Sequence, residues 1–163
     1  MADISHLGSG DATDYSIGDY DQRPWGFWLV TDVKADRSND YCEKVIVVSP
    51  GKILSLQSHK LRNEKWTVLD GTLVAIIDGQ SQTLRRGDSI DVPAGALHSM
   101  ANLGDTACVI KEQQSGICRE SDITRYLDAY GRSTGGDIDE IAPSIALYRT
   151  ILAQTGEMQK QYA

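Results

Sequence analysis

The feature that most constrains this chain is its punctuation between Tyr41 and Gln113. Short apolar runs follow one another about every 8–12 residues, most of them closed by a turn that carries glycine. Glu43 to Val48 ends at Ser49-Pro50-Gly51, and Lys52 to His59 and Glu64 to Leu69 come next. Asp70-Gly71 leads into Thr72 to Ile77, and Asp78-Gly79 into Gln80 to Leu84. Arg86-Gly87-Asp88 turns into Ser89 to Val92, Pro93-Ala94-Gly95 bends ahead of Leu97 to Ala101, and Leu103-Gly104-Asp105 precedes Thr106 to Gln113. The two Asp-Gly pairs are hairpin signals, because tight turns need positive φ, which glycine accepts freely. Upstream, Arg23-Pro24-Trp25-Gly26 opens a first strand over Phe27 to Val33, and Asp36 to Asp40 reads as a polar turn. No helix-period pattern interrupts residues 25–114. An all-β domain with this many short strands must hide its edges, and closure into a barrel or a two-sheet roll does so.

The two ends differ in character. Residues 1–22 are polar and rich in Gly, Asp and Ser, and read as an N-terminal arm with Tyr15, Ile17 and Tyr20 as its packing points. Residues 23–132 form the barrel domain and residues 133–163 a helical C-terminal extension. Ile123, Tyr126 and Leu127 sit at helical spacing, which predicts a short helix within Ser121 to Tyr130. Ser133 to Asp137 is a polar linker. Ala142 to Gln161 reads as an amphipathic helix, with Pro143 in its first turn and Ile145, Tyr148, Ile151 and Leu152 on one face. That face is expected to pack on the barrel or on a second subunit.

Composition removes several functions. At 163 residues the chain fits one domain. With a net charge of −7 and no basic block, it lacks the dense positive face that nucleic acid or an anionic membrane requires. A small anion is not excluded, because one metal ion and a few basic side chains reverse the local sign. Cys42, Cys108 and Cys118 share no metal-site or redox spacing and read as small buried fillers. The N-terminus shows no basic segment followed by an apolar run, and no apolar run approaches the ~20 residues that span a bilayer, so a cytoplasmic location is expected.

The chemistry lies in two glycine-framed stretches, Gly51 to Gly71 and Gly87 to Asn102. On a strand, residues two apart share a face, so Gln57 and His59 point together. Glu64 follows after a four-residue bend and can turn back toward that face, while His98 can close the site from an opposite wall. Gln57, His59, Glu64 and His98 make a two-nitrogen, two-oxygen set suited to a divalent metal. Zinc is placed first, with manganese, iron, cobalt or nickel as alternatives. Such an ion can polarise a carbonyl or hydroxyl oxygen. His6 lies in the arm, apart from this set.

These residues resemble the two cupin motifs. The second stretch, with Gly87, Pro93, Gly95, His98 and Asn102, matches the general pattern at its fixed positions. The first matches at Gly51, His59, Glu64 and Gly71 but has Gln57 where most cupins place a His. Leu56-Gln57-Ser58-His59 followed by Arg62-Asn63-Glu64-Lys65-Trp66 is similar to the type II mannose-6-phosphate isomerases, the cupin part of bifunctional mannose-1-phosphate guanylyltransferases. The likeness extends to Arg23-Pro24-Trp25-Gly26, to Gln114-Ser115-Gly116 and to Asp122-Ile123 through Tyr130-Gly131-Arg132. Lys60 and Lys65 stand where that family tends to have His. The resemblance implies a double-stranded β-helix (a jelly-roll barrel) with the helical extension outside it, the metal ligands named above, and a homodimer.

It also implies interconversion of an aldose phosphate and a ketose phosphate, such as mannose 6-phosphate and fructose 6-phosphate. That reaction moves a proton between C2 and C1 and needs a base and an oxyanion stabiliser. Glu112 and Lys65 are the base candidates, by position. Arg62 is the candidate for holding phosphate or the enediolate, because its planar fork suits oxyanions, with Arg125 and Arg132 as further phosphate candidates. One fold hosts many chemistries, so an Fe(II) oxygenase and a non-catalytic sugar sensor or interaction module stand as alternatives.

Overall fold

The computed structural model describes residues 13–35, 39–129 and 142–156. Its elements are β1 (Tyr20–Arg23), β2 (Gly26–Lys34), β3 (Asp40–Val48), β4 (Lys52–Ile53), β5 (Leu56–Ser58), β6 (Arg62–Asp70), β7 (Thr72–Ile77), β8 (Gln80–Arg85), β9 (Ser89–Val92), β10 (His98–Asn102), β11 (Cys108–Gly116), β12 (Thr124–Leu127) and the helix α1 (Ala142–Leu152). One sheet runs β1-β2-β3-β11-β6-β9. The other runs β12-β5-β10-β7-β8, with β4 also paired to β10. The two sheets face each other as a jelly-roll barrel, and every strand pairing among the described residues is antiparallel.

The expected turns hold. β7 and β8 meet through Asp78-Gly79, with φ of 47° and 78°, the double positive φ of a tight hairpin. Gly26 is required by crowding: a Cβ there would stand 1.9 Å from the Val47 carbonyl oxygen. Alternation then sorts the side chains. On β3, Asp40, Cys42, Lys44, Ile46 and Val48 are buried and their neighbours are not. The inner faces therefore fall into two zones. Toward one end, Val48, Trp66, Val68, Leu73, Leu84, Met100 and Ile110 interlock as an apolar core. Toward the other, Lys44, Arg62, Glu64, Glu112 and Gln114 are buried and polar.

The structure revises several expectations. Thr124–Leu127 is strand β12, not a helix; it pairs with β5, with Arg125 opposite Gln57. A run of this length gains little as an isolated helix, whereas the free edge of β5 offers it backbone partners. The single strand expected over Lys52 to His59 is broken between Ile53 and Leu56. There the Leu54 carbonyl accepts hydrogen bonds from Ser99 Oγ and Tyr148 Oη instead of continuing a ladder. Of the polar turn expected over Asp36 to Asp40, residues 36–38 lie outside the described residues, and Asp40 is buried and begins β3.

Within the expected arm, residues 1–12, including His6, lie outside the described residues. Tyr15 is buried against Trp28, Val30, Cys42 and Cys118, Tyr20 starts β1, and Ile17 and Tyr20 stay exposed. The linker over Ser133 to Asp137, the candidate Arg132 and the helical tail beyond Gly156 also lie outside the described residues. The helix ends at Leu152, and Ile145, Tyr148 and Ile151 pack on Ile53, Leu56, Ile76 and Ala101 of the second sheet. The three cysteines are buried and free. Among the described residues no helix is long and apolar enough to cross a membrane.

Candidate metal centre

β6 carries Arg62, Glu64 and Trp66 inward at every second position. β5 ends at Ser58, with His59 just beyond it, and β10 begins at His98, which pairs with Gln57. The three elements bring one ligand atom each from His59, Glu64 and His98 within 4.8 Å of one another, and all three side chains are buried. Gln57 lines the same pocket, its Oε1 accepting a hydrogen bond from Ser55 Oγ at 2.9 Å.

The hydrogen bonds settle which ring nitrogens face inward. His59 Nδ1 is 2.6 Å from the Asp122 carbonyl oxygen, and His98 Nδ1 is 3.0 Å from that of Ala96. A carbonyl only accepts, so each ring carries its proton on Nδ1 and presents a bare Nε2 to the interior. His98 Nε2 has no hydrogen-bond partner and lies 3.8 Å from Glu64 Oε2. His59 Nε2 lies 3.1 Å from Glu64 Oε1. Electron-pair donors converging on one buried point, with both rings anchored through their other nitrogen, fit a divalent cation. In the structure Arg62 Nη2 donates to His59 Nε2 at 3.2 Å, so this arm of the fork must swing aside for His59 to coordinate.

The electrostatics agree. Burial pushes the His98 pKa down to about 4, only partly offset by Glu64, so the ring is neutral at ordinary pH and free to coordinate. Burial alone would raise Glu64, but the Arg62 guanidinium, bonded to it through Nε, holds it well below the usual carboxylate range. Trp66 Nε1 donates to its second oxygen at 2.9 Å. Glu112 is pushed up to about 8, first by burial and then by repulsion from Glu64. Gln114 Nε2 donates to Glu112 Oε2 at 3.0 Å.

Two expectations change. Lys65 is exposed on the outer face of β6, because it falls between Glu64 and Trp66 on a strand of period two; it does not line this pocket. Arg62 is buried rather than reaching for phosphate: Nε bonds Glu64 at 3.1 Å, Nη1 bonds the Arg119 carbonyl at 2.9 Å, and Nη2 is held by His59. Glu112 does line the pocket, as do Arg23, Lys44, Glu120 and Arg125. Lys44 was missed, although its parity with Cys42, Ile46 and Val48 marks it as an inward lysine. Its ammonium sits 4.0 Å from the Tyr15 ring centre, 4.2 Å from that of Trp28 and 3.6 Å from Glu120. Glu120 also hydrogen-bonds Tyr15 Oη and approaches Arg23 at 3.5 Å.

A barrel of two antiparallel sheets with a His-Glu-His group between them is a cupin. The family model for the mannose-6-phosphate isomerase C-terminal domain matches residues 12–128, and the chain belongs to that family. It is 40% identical over 111 residues to the mannose-1-phosphate guanylyltransferase of Escherichia coli K12; the match covers 68% of this chain and 22% of that protein, so the chain spans under a quarter of that relative. Among solved structures, the capsular polysaccharide assembling protein CapF of Staphylococcus aureus superposes with a TM-score of 0.59 at 21% identity, over 71% of this chain and 33% of that one. The cupin domain of Schizosaccharomyces pombe Cnp3 does so with a TM-score of 0.51 at 15% identity, over 60% and 68%. These two likenesses concern the fold.

Proposed function

We propose that this chain is a metal-dependent sugar-phosphate isomerase, interconverting an aldose phosphate and a ketose phosphate such as mannose 6-phosphate and fructose 6-phosphate. The observation that carries the reading is a pocket that Glu112 lines together with His59 and His98, the two histidines that converge with Glu64. Membership of the isomerase domain family supports it.

The residues divide the work as follows. His59, Glu64 and His98, with Gln57 as a fourth donor, would hold the ion. Zinc is the ion proposed, and when bound it polarises the substrate's carbonyl and hydroxyl oxygens. Glu112 takes the proton from C2 and returns it at C1, while the proton of the C2 hydroxyl passes to O1. A group with a pKa near the working pH suits both directions of transfer, and the Gln114 amide keeps the carboxyl oriented. Trp66 and Arg62 fix the Glu64 carboxylate through its two oxygens.

The pocket's cavity is about 70 Å³, so a hexose phosphate would enter by its reacting end, with the remainder at the open mouth. Its lining carries Arg23, Lys44, Arg62 and Arg125 against the carboxyls of Glu112 and Glu120, a positive surplus in a chain of net charge −7. With Arg62 committed to the ligands, the phosphate group is assigned to Arg23, Lys44 and Arg125.

A coupled assay of mannose 6-phosphate with the zinc-, manganese-, cobalt-, nickel- or iron-loaded protein tests the reading, with an oxygen electrode alongside. Fructose 6-phosphate should form without oxygen uptake, and unphosphorylated mannose should react at least about tenfold less efficiently, the loss of one good ionic contact. Oxygen consumption would point to an oxygenase, and tight sugar binding without turnover to a sensor.

A further inference from the structure

We infer that Asp122 is a positioning residue for the metal centre, acting on His59 through three hydrogen bonds that set the ring's direction. Its carbonyl oxygen takes the His59 Nδ1 proton at 2.6 Å. Its carboxylate takes the next two backbone amides, Oδ1 from Lys60 and Oδ2 from Leu61, each at 2.9 Å. One residue thus holds three consecutive positions of the turn from β5 to β6.

Besides Asp122, the Gly95 amide holds the His59 carbonyl at 2.7 Å, and the side chains of the turn add little. Lys60 is exposed, and Leu61 is 43% exposed, so neither side chain contributes much burial. The same loop secures the far end of the turn, where the Arg119 carbonyl accepts Arg62 Nη1 at 2.9 Å and Ile117 N donates to the Leu61 carbonyl at 2.9 Å. A carboxylate accepting two amide protons makes charge-assisted bonds, stronger than the neutral bonds of an ordinary turn. Without them the carbonyl of Asp122 and the ring of His59 lose their common frame. His59 then keeps its place in sequence but not its aim at Glu64 and His98.

The inference rests on the metal reading of the site and not on which reaction the site performs. It is tested on the full chain, stripped with chelator and titrated with Co(II) while visible absorption is followed. Asp122→Ala should raise the Co(II) Kd by ~10–100-fold, the usual cost of losing an outer partner of a ligand. Asp122→Asn, which keeps the shape and one acceptor, should fall between it and wild type, and Asp122→Glu should recover part of the loss. Asp88→Ala is the control: Asp88 caps the Arg85 amide at 2.9 Å in a turn away from the site, and its loss should leave the Kd within about twofold. The second readout is the His59 Nδ1–H proton resonance, which should be protected from exchange in wild type, exchange faster in Asp122→Asn and fastest in Asp122→Ala. Should Asp122→Ala fail to fold, Asp122→Asn decides. Wild-type Co(II) affinity in Asp122→Asn, or a His59 Nδ1–H signal unchanged by it, overturns the proposal. If wild type takes up no Co(II), the metal reading fails instead, and the Nδ1–H signal alone decides the positioning role.

Discussion

Glu64 and Lys65 are neighbours in the chain and face opposite sides of β6, one buried beside two histidines and the other in solvent. Glu112 lies across the ladder from Trp66, on the inner face of β11. The two base candidates should therefore separate cleanly. Lys65→Ala should leave kcat and KM within about twofold, as a substitution on an exposed strand face normally does. Glu112→Gln keeps the volume and the Gln114 contact but cannot carry a proton, and should lower kcat by ~10²–10⁴ while KM and metal content stay close to wild type. Steady-state kinetics with metal analysis on both variants decides between them; an active Glu112→Gln would remove this residue from the chemistry. At this scale the sequence was legible where spacing maps onto strand parity. Gln57 with His59, and Glu64 with Trp66, follow from it. What spacing could not show is how a side chain is spent. Arg62 has an oxyanion-binding fork in any sequence, and only the fold reveals that Glu64, His59 and Arg119 have taken it.

The strands themselves were legible because their turns are local. β7 and β9 begin and end where the punctuation puts them, since Asp78-Gly79 and Arg86-Gly87-Asp88 act over a few residues. The misjudged segments are those whose partners lie far away in sequence. β12 is a strand because β5 has a free edge, and Lys52 to His59 breaks because the Leu54 carbonyl is claimed by Ser99 and Tyr148. The second case makes α1 part of the scaffold beneath the site. Tyr148 is buried, its ring packs on the second sheet, and its hydroxyl donates to Leu54 at 2.9 Å. Tyr148→Phe should cost about 1 kcal/mol, because Ser99 still satisfies that carbonyl, whereas Tyr148→Ala should cost about 3–5 kcal/mol through the cavity it leaves. Urea unfolding of both variants checks this. A Tyr148→Ala protein as stable as wild type would mean that the helix does not brace the sheet.

For the molecule as a whole, the buried polar zone that makes the pocket also sets how stability depends on pH. In the metal-free protein His98 titrates near 4 when folded and near 6.5 when unfolded, so the unfolded chain binds more protons between those values and stability falls as pH drops through them. Glu64, held low, adds to that loss below its ordinary value of 4.5. Glu112 works in the opposite sense. Its unfolded carboxyl ionises near 4.5 and its folded one near 8, so across that window the native state binds more protons and stability falls as pH rises. Between 4.5 and 6.5 the slopes of His98 and Glu112 oppose each other and largely cancel. Above 6.5 Glu112 acts alone, and the decline should approach ~1 kcal/mol per pH unit until it ionises. Urea unfolding in the presence of chelator, repeated across this range, should show a plateau with a fall on each side. Glu112→Gln should abolish the fall between pH 6.5 and 8 and leave the acid one, because the amide has no proton to lose in either state. If the variant and the wild type decline in parallel above neutrality, Glu112 ionises normally in the folded protein, and the proton transfer assigned to it loses its physical basis.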